Sequence, residues 1–352
     1  MMQFTYRALP SHVTFGRGSR AKIGQELDRL GITRAIVLST PGQAPHAEEI
    51  AREIGKRAAT VFPGAVMHTP VDVTASALEA VSLSKADGIL SIGGGSTIGL
   101  GKAIALRTDL RQLVVPTTFA GSEMTPIIGQ TENGVKTTQK TMRVLPEAVI
   151  YDPDMVVSLP GRLAGPSGMN AIAHSVEGLY AEEANPIIAM MAEESIRSLG
   201  RSLPLLLDRP DETDAWTEAV YGAFLAGICL GSVGMAIHHK ICHTLGGTFD
   251  LPHADIHCLM LPYSAAYNRE AAPDAMARIA QALKGNDGPA ALHELMLKTA
   301  TKKSLKEFGL SEADLDKAAD LAVKSPYYNP RPVTKEGVRE MLQAAYEGRV
   351  PV

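Results

Sequence analysis

The chain is poor in cysteine and in net charge, and each shortage excludes a class of protein. Its three cysteines, Cys229, Cys242 and Cys258, have spacings that match neither a redox pair nor a thiolate zinc site. We therefore expect buried thiols in a reducing cytoplasm. The formal net charge is only −4, and lysine and arginine form no block, so a nucleic-acid partner is not expected.

Long apolar runs are also missing from the sequence. Hydrophobic residues make up 45% of the chain, but no run reaches the roughly 20 residues that span a bilayer. Residues 1–10 lack the apolar stretch of a signal peptide. These absences predict a cytoplasmic protein with no membrane partner. Because single cores usually divide above roughly 250–300 residues, a chain of 352 residues predicts two domains.

Residues 1–160 predict an α/β domain built on an open parallel sheet. Short apolar runs, typical of strands buried on both faces, alternate there with stretches of helical spacing. The predicted strands are 35–39, 59–62, 88–92 and 112–115, and the predicted helices are 19–30, 44–56 and 75–85. Strands that alternate with helices favour a parallel sheet.

Residues 161–352 predict an all-helical domain, because no convincing strand pattern follows Pro160. The predicted helices are 168–184, 187–203, 214–230, 234–245, 255–268, 274–283, 312–324 and 335–346. The segment 158–168 is rich in glycine, proline and serine, and it marks the expected domain boundary.

Two polar loops in the first domain predict a ligand site. Gly93, Gly94 and Gly95 follow the strand 88–92 and begin a helix. Glycines let the backbone approach a ligand, and a helix start offers free N–H groups to a phosphate. A tight strand-to-helix turn is the alternative interpretation. The second loop, 116–123, follows the next strand and should lie at the same sheet edge, which favours the ligand site.

Five of the ten histidines lie between residues 238 and 257. His239 and His243 are four residues apart, so they share one face of a helix. Gly246 and Gly247 are expected to end that helix, so that the chain turns back towards His253. The spacing is similar to that of metal-ligand clusters.

Other polar residues extend this candidate site. His174 follows Asn170 by four residues, so both lie on one helix face. We interpret His238 as a structural residue that points away from its neighbour His239, and we leave the role of His257 open. A single histidine is more often a core residue than a ligand, so the clustering carries the hypothesis.

Three motifs resemble the iron-containing alcohol dehydrogenase family: GGGST at 93–97, PTTFAGSE at 116–123 and HHKICHTLGGTFDLPH at 238–253. That family has an N-terminal dinucleotide-binding α/β domain and a C-terminal helical domain, and its members are commonly dimeric. The segments LSTPGQ at 38–43 and SGMNAIAHSVEGLY at 167–180 resemble the group of maleylacetate reductases within it. The resemblance implies reduction of a dicarboxylate, maleylacetate, to 3-oxoadipate with NADH or NADPH in the breakdown of aromatic compounds.

The resemblance also implies which residues act. The expected cofactor-binding residues are Ser39, Thr40, Gly93, Gly94, Gly95, Ser96, Thr97, Thr117, Thr118 and Ser122. The acidic residue that favours NADH is replaced around Thr40, so NADPH should also be accepted. His243 takes the position of the proton donor, and His174, His239 and His253 should act as further donors to the substrate. Lys240 and His257 are weaker candidates for binding a substrate carboxylate.

One departure from the family concerns the metal. Metal-dependent members have an aspartate at the position of Asn170, and their three other ligands correspond to His174, His239 and His253. Because Asn170 offers a neutral amide, we expect no bound metal.

Three alternatives to a reductase stay open. One is a metal-dependent alcohol or polyol dehydrogenase of the same fold, against which Asn170 argues. Another is a lyase similar to dehydroquinate synthase, which should carry a cluster of phosphate-binding lysines and arginines near the histidines, where only Lys240 is close. The third is a non-catalytic binding protein, in which neither the glycine loop nor the histidines would have a function.

Overall fold

The computed structural model describes residues 3–132 and 134–351. The chain divides into two units, of which one spans Ala8–Leu159. The other combines the described residues before Ala8 with those from Pro160 onward. The sequence-based bounds of 1–160 and 161–352 differ from this division at the start of the chain, where Tyr6 packs against a cluster that contains Ala181 and Ile188 of the helical unit.

The first unit contains a six-stranded parallel sheet and a separate two-stranded hairpin. The strands are β1 (His12–Phe15), β2 (Ala35–Leu38), β3 (Ala58–Phe62), β4 (Gly88–Gly93), β5 (Arg111–Pro116), β6 (Ile127–Glu132), β7 (Val135–Lys140) and β8 (Ala148–Tyr151). The order in the sheet is β1-β8-β5-β4-β2-β3, and β6 pairs with β7 in antiparallel fashion.

The four strands predicted from apolar runs are confirmed, and they are β2 to β5. The predictions missed β1, which is partly exposed. They also missed the hairpin, whose strands carry threonine, glutamine and lysine in place of a continuous apolar run. Polar or partly exposed strands leave a weak hydrophobic signal in the sequence. The strand β8 was missed as well, although its four residues are as apolar and as buried as those of β2.

Helices cover both faces of the sheet. They are α1 (Ile23–Arg29), α2 (Ala44–Ile54), α3 (Val71–Ser84) and α4 (Gly95–Thr108). Successive strand residues point to opposite faces. Val37 accordingly packs in the core that contains residues of α1 and α2, whereas Ile36 packs in the core that contains residues of α3 and α4.

A buried lysine of α4 fixes the chain after β5. The Nζ atom of Lys102, fully buried, lies 2.6 Å from the carbonyl oxygen of Ser122 and 2.8 Å from those of Thr125 and Ile127. Burial lowers the pKa of Lys102 to about 7, and the nearby Glu123 opposes that shift. Three carbonyl acceptors match the three protons of an ammonium group, so Lys102 ties this loop to the helix that follows the glycines.

The second unit consists of helices and their connections, with no strand among its described residues. Its helices are α5 (Gly161–Tyr180), α6 (Pro186–Asp208), α7 (Thr213–Ser232), α8 (Ile237–Phe249), α9 (His253–Tyr267), α10 (Pro273–Ala282), α11 (Gly288–Thr299), α12 (Glu312–Val323) and α13 (Lys335–Glu347). The expectation of no strand after Pro160 is confirmed for these residues, but α11 was not predicted.

The expected boundary segment 158–168 contains the division between the two units, which falls between Leu159 and Pro160. Helix α5 begins at Gly161, so most of that segment is helical.

The expected end of α8 was wrong. Gly246 and Gly247 do not end α8, which continues to Phe249. The left-handed residue Asp250 (φ 52°) follows the helix, and burial of its apolar residues outweighs the roughly 1 kcal/mol cost of a helical glycine.

Among the described residues no single helix is long and apolar enough to cross a membrane. The pair α7 and α8, bent by 96°, has the length and composition to do so together.

Candidate active site

The glycine loop lies where the strand order of the sheet reverses. The chain leaves the neighbouring strands β2 and β4 in opposite directions, towards β3 and towards β5. Gly93 ends β4 with φ 155°, and Gly94 precedes α4 without any side-chain cap. A Cβ atom on Gly94 would lie 2.8 Å from Thr118, so only glycine fits there. Open parallel sheets bind ligands at such a reversal.

The N-terminus of α4 provides backbone N–H groups that can donate hydrogen bonds to a ligand. The first N–H groups of a helix have no intrahelical acceptor, and here they belong to Gly95, Ser96 and Thr97. They also lie at the positive end of the helix dipole, where a phosphate is stabilised.

Hydrogen bonds join three strand ends at this edge. The backbone N–H of Thr117, which follows β5, donates to the carbonyl of Gly93 over 3.2 Å. Gln43, which follows β2, donates from Nε2 to the Thr117 hydroxyl over 2.7 Å. The predicted adjacency of the two polar loops is therefore confirmed, and Gln43 is a member of the site that the sequence did not single out.

Hydroxyl groups without partners mark the same edge. Ser39 and Thr97 are buried, and neither hydroxyl has a hydrogen-bond partner among the described residues. Thr40, Thr118 and Ser122 are half-buried. Buried polar groups normally find a partner, so a ligand that supplies polar atoms would satisfy Ser39 and Thr97.

In the helical unit, α5, α8 and α9 bring six histidines into one cluster. The ring centroids of His253 and His257 are 4.3 Å apart, those of His239 and His257 are 4.8 Å apart, and those of His174 and His239 are 5.0 Å apart. The members of this histidine cluster are His174, His238, His239, His243, His253 and His257. The predicted convergence of His174, His239, His243 and His253 is thus present in the structure.

A buried carboxylate that the sequence analysis missed orders the cluster. Glu177 is fully buried, and its oxygens accept from the backbone N–H of Ala236 over 3.0 Å and of His238 over 2.8 Å. Its Oε2 also accepts from Nδ1 of His239 over 2.6 Å. Glu177 therefore caps α8 from another helix and fixes the ring of His239. Its only sequence signal is its spacing, three residues after His174.

The hydrogen bond to Glu177 determines whether Nε2 of His239 can accept or donate a hydrogen bond. With Nδ1 as the donor, a neutral ring presents Nε2 as an acceptor, and a protonated ring presents it as a donor. Nε2 is buried and has no hydrogen-bond partner among the described residues. The expected role of His239 as a donor to the substrate therefore requires the protonated ring.

His238 does not point away from the cluster, contrary to the sequence-based interpretation. Its Nε2 lies 3.0 Å from Nδ1 of His257, and its Nδ1 lies 2.9 Å from the hydroxyl of Ser264. The ring is fully buried. Adjacent helical residues diverge by about 100°, but packing of α8 against α9 supplies partners on the side that His238 faces.

Three rings of the cluster are held in the neutral form by burial. Burial, with the neighbouring imidazoles adding to it, lowers the pKa of His174, His238 and His257 well below the usual value. Asn170 is buried, and its Oδ1 has no partner among the described residues, as is also true of Nδ1 of His174. These unpartnered atoms are available to a bound molecule.

The remaining candidates lie nearer solvent. His243 and His253 are exposed, with stacked rings 5.9 Å apart. Lys240 is half-buried, with its ammonium 5.8 Å from the ring centroid of Tyr327. The cluster therefore has buried neutral rings on one side and the solvent-accessible rings of His243 and His253 on the other.

The cluster also has a set of nitrogens at metal-ligand spacing. Ligand atoms of His238, His239 and His257 lie within 4.8 Å of one another. However, both ring nitrogens of His238 already have partners, and both oxygens of Glu177 accept hydrogen bonds. The polar atoms of the cluster that lack partners among the described residues are imidazole nitrogens and an amide oxygen, without a carboxylate to offset the charge of a divalent ion.

A substitution at Gly94 tests whether the glycine loop binds the cofactor. We expect Gly94→Val to weaken binding of NADH by about a hundredfold, or about 2.7 kcal/mol, because the side chain would displace Thr118 and fill the approach to the loop. Gly24→Val is the matched control, since the nearest atom to its added Cβ, in Arg57, is 4.0 Å away. Fluorescence titration measures both, and equal affinity in the two variants would exclude the loop as the binding site.

The comparisons with known proteins agree with this architecture. Residues 10–153 match the family model described as iron-containing alcohol dehydrogenase, and residues 165–346 match the model of the C-terminal region of the same family. A maleylacetate reductase from Sphingobium indicum is 50% identical over 351 residues, covering 100% of this chain and 99% of the relative. Another from a Rhizobium species is 50% identical and covers 100% of both chains.

Solved structures give the same result. The maleylacetate reductase from Agrobacterium tumefaciens superposes with a TM-score of 0.97 at 49% identity, covering 100% of both chains. An iron-containing alcohol dehydrogenase from Corynebacterium glutamicum superposes with a TM-score of 0.95 at 40% identity, covering 100% of this chain and 99% of the other. The chain therefore belongs to the iron-containing alcohol dehydrogenase family.

Proposed function

We propose that the chain is a reductase that converts maleylacetate to 3-oxoadipate with NADH or NADPH. The observation that carries this proposal is the match, at 50% identity over the whole chain, to relatives named maleylacetate reductase. Alcohol dehydrogenases have the same fold, so the fold alone does not identify the substrate, and the residues of the site must do so.

The α/β domain, residues 1–160, is proposed to bind the cofactor through its glycine loop and the polar residues around it. The loop supports this role because a Cβ atom at Gly94 would fill it and because the hydroxyls of Ser39 and Thr97 lack partners. No carboxylate follows β2 at Ser39 and Thr40, so a 2′-phosphate meets no repulsion there. When bound, the nicotinamide supplies the hydride.

Residues 161–352 are proposed to bind the substrate and to handle protons. Reduction β to the ketone of maleylacetate places negative charge on the ketone oxygen, and one proton must be added to complete 3-oxoadipate. His243 is the proposed donor, because its imidazole is accessible and lies 6.0 Å from His239 and 5.9 Å from His253 between ring centroids. Imidazole exchanges protons near neutral pH.

The substrate carries two carboxylates, which require donors. Lys240 offers an ammonium beside the cluster. Asn170 can donate through its amide Nδ2, and His174 can donate through Nδ1, which is buried without a partner among the described residues. His253 is accessible at the other end of the cluster. Charge-assisted hydrogen bonds from such groups fix a carboxylate in position.

We further propose that the reaction needs no divalent metal, although the family is named for iron. The support is the neutral amide of Asn170 and the hydrogen-bonded state of Glu177, which leave no carboxylate for a metal ion in the cluster. A carbon–carbon double bond conjugated to a ketone accepts hydride more readily than a simple ketone does, so its reduction depends less on a Lewis acid. We also propose that the enzyme is cytoplasmic, because its three cysteines are buried free thiols. We propose a homodimer as its oligomeric state.

The function is tested by following nicotinamide absorbance at 340 nm with maleylacetate and with simple alcohols, ketones and aldehydes. We expect turnover of maleylacetate with both NADH and NADPH. Turnover of alcohols but not of maleylacetate would identify the protein as an alcohol dehydrogenase. A preference for NADH above about a thousandfold, or about 4 kcal/mol, would contradict the expected acceptance of NADPH.

Replacement of His243 tests the proton donor. We expect His243→Ala to lower kcat by about a hundred- to ten-thousandfold, which is the usual cost of losing a general acid, and to leave cofactor affinity nearly unchanged. His46→Ala, an exposed histidine on α2, is the control and should retain activity. If both variants keep full kcat, His243 is not the donor.

Removal of metal tests the remaining part of the proposal. After exhaustive chelation, with metal content measured by mass spectrometry, we expect full activity. Loss of activity that zinc or ferrous iron restores would identify a metal-dependent enzyme. As a second measurement, Asn170→Asp should raise zinc affinity, because it adds a charged oxygen on the helix face of His174. An unchanged affinity would show that Asn170 does not face a metal-binding position.

A further inference from the structure

A chain of three buried side chains fixes the proton positions in the cluster. The hydroxyl of Ser264 lies 2.9 Å from the carbonyl oxygen of Leu261 and 2.9 Å from Nδ1 of His238. A carbonyl oxygen can only accept, so the single hydroxyl proton of Ser264 must be directed at Leu261. The hydroxyl oxygen is then the acceptor for His238, and Nδ1 of His238 carries a proton.

The same logic continues to His257. His238 is fully buried, and neither ring nitrogen has a carboxylate partner among the described residues, so a positive charge on the ring would be uncompensated and the ring is neutral. With Nδ1 protonated, Nε2 of His238 has no proton. It lies 3.0 Å from Nδ1 of His257, so Nδ1 of His257 is the donor. His257 is likewise fully buried without a carboxylate partner among the described residues, so its ring is neutral and its Nε2 carries a lone pair.

This lone pair has no partner among the residues that the structure describes. Nε2 of His257 is buried and makes no hydrogen bond to the described residues. The nearest imidazole is that of His253, whose ring centroid is 4.3 Å away, and His239 follows at 4.8 Å. A lone pair in this position requires an N–H or O–H group from its surroundings.

We propose that Ser264 and His238 hold His257 in the Nδ1–H tautomer, so that His257 acts as a hydrogen-bond acceptor that positions His253. This assignment revises the expectation that His257 binds a substrate carboxylate, because a carboxylate also offers only lone pairs. His257 and His238 are thus positioning residues that act through the ring of His253, which can turn an N–H group towards Nε2 of His257.

The tautomer is measured directly by nitrogen NMR on protein labelled with 15N-histidine, without substrate or cofactor. We expect His257, identified by loss of its signals in His257→Asn, to show a protonated Nδ1 and an unprotonated Nε2. Ser264→Ala should convert this pattern to a mixture of tautomers. Ser202→Ala should not, although it also removes a fully buried hydroxyl that donates to a helix carbonyl. An Nε2–H tautomer in the parent protein would overturn the proposal.

A pair of substitutions at His238 tests the consequence for catalysis, and this part rests on the proposed function. In His238→Gln the amide oxygen can still accept from Nδ1 of His257, whereas His238→Leu offers no acceptor. We expect kcat with maleylacetate to fall at least about tenfold, or about 1.4 kcal/mol, in the leucine variant and to be largely retained in the glutamine variant, with KM little changed in both.

The two measurements separate the possible failures. If both variants lose kcat equally while circular dichroism shows an intact fold, the acceptor role of His238 is wrong. If His257→Asn raises KM for maleylacetate at unchanged kcat, His257 binds the substrate and the positioning role is wrong. If the protein does not reduce maleylacetate at all, the proposed function fails, but the NMR result still decides the tautomer.

Discussion

The histidine cluster depends on one buried carboxylate. Glu177 accepts two backbone N–H groups at the start of α8 and the Nδ1–H of His239. Ala236, which precedes α8, has no side-chain cap of its own. A negative charge at the N-terminus of a helix is stabilised by the helix dipole, and an uncompensated buried charge would be strongly destabilising. The same contact therefore holds α5 against α8 and sets the direction of the His239 ring.

The two candidate sites are built by different means. The glycine loop is made of backbone: a strand end, three glycines and the N–H groups of a helix start, with Gln43 and Thr117 bridging the neighbouring strand ends. The histidine cluster is made of side chains from three helices, and hydrogen bonds orient the rings of His238, His239 and His257. Backbone sites tolerate few side chains at the glycines, whereas a side-chain cluster depends on every partner in its hydrogen-bond network.

The elements that were predicted and those that were missed differ in the physical signal they leave. Strands β2, β4 and β5 are largely buried apolar runs and β3 is a half-buried one, and the helices have an apolar face, so both kinds of element are visible in the order of residues. The hairpin β6–β7 and the edge strand β1 have neither property. Gly246 and Gly247 were misjudged because their helical cost is small compared with the packing of α8.

For the candidate site, the order of residues is enough to identify which groups are available: three glycines after a strand, histidines four residues apart, and a neutral Asn170 on the helix face of His174. These features are local, because helical spacing and strand-to-helix turns involve neighbours along the chain. The hydrogen-bond partners of these groups depend on how the helices pack. Glu177 bonds residues 59 to 62 positions away, and Ser264 lies 26 positions from His238. Such contacts arise from the packing of α5, α8 and α9, and no local pattern encodes which nitrogen of a ring will carry its proton.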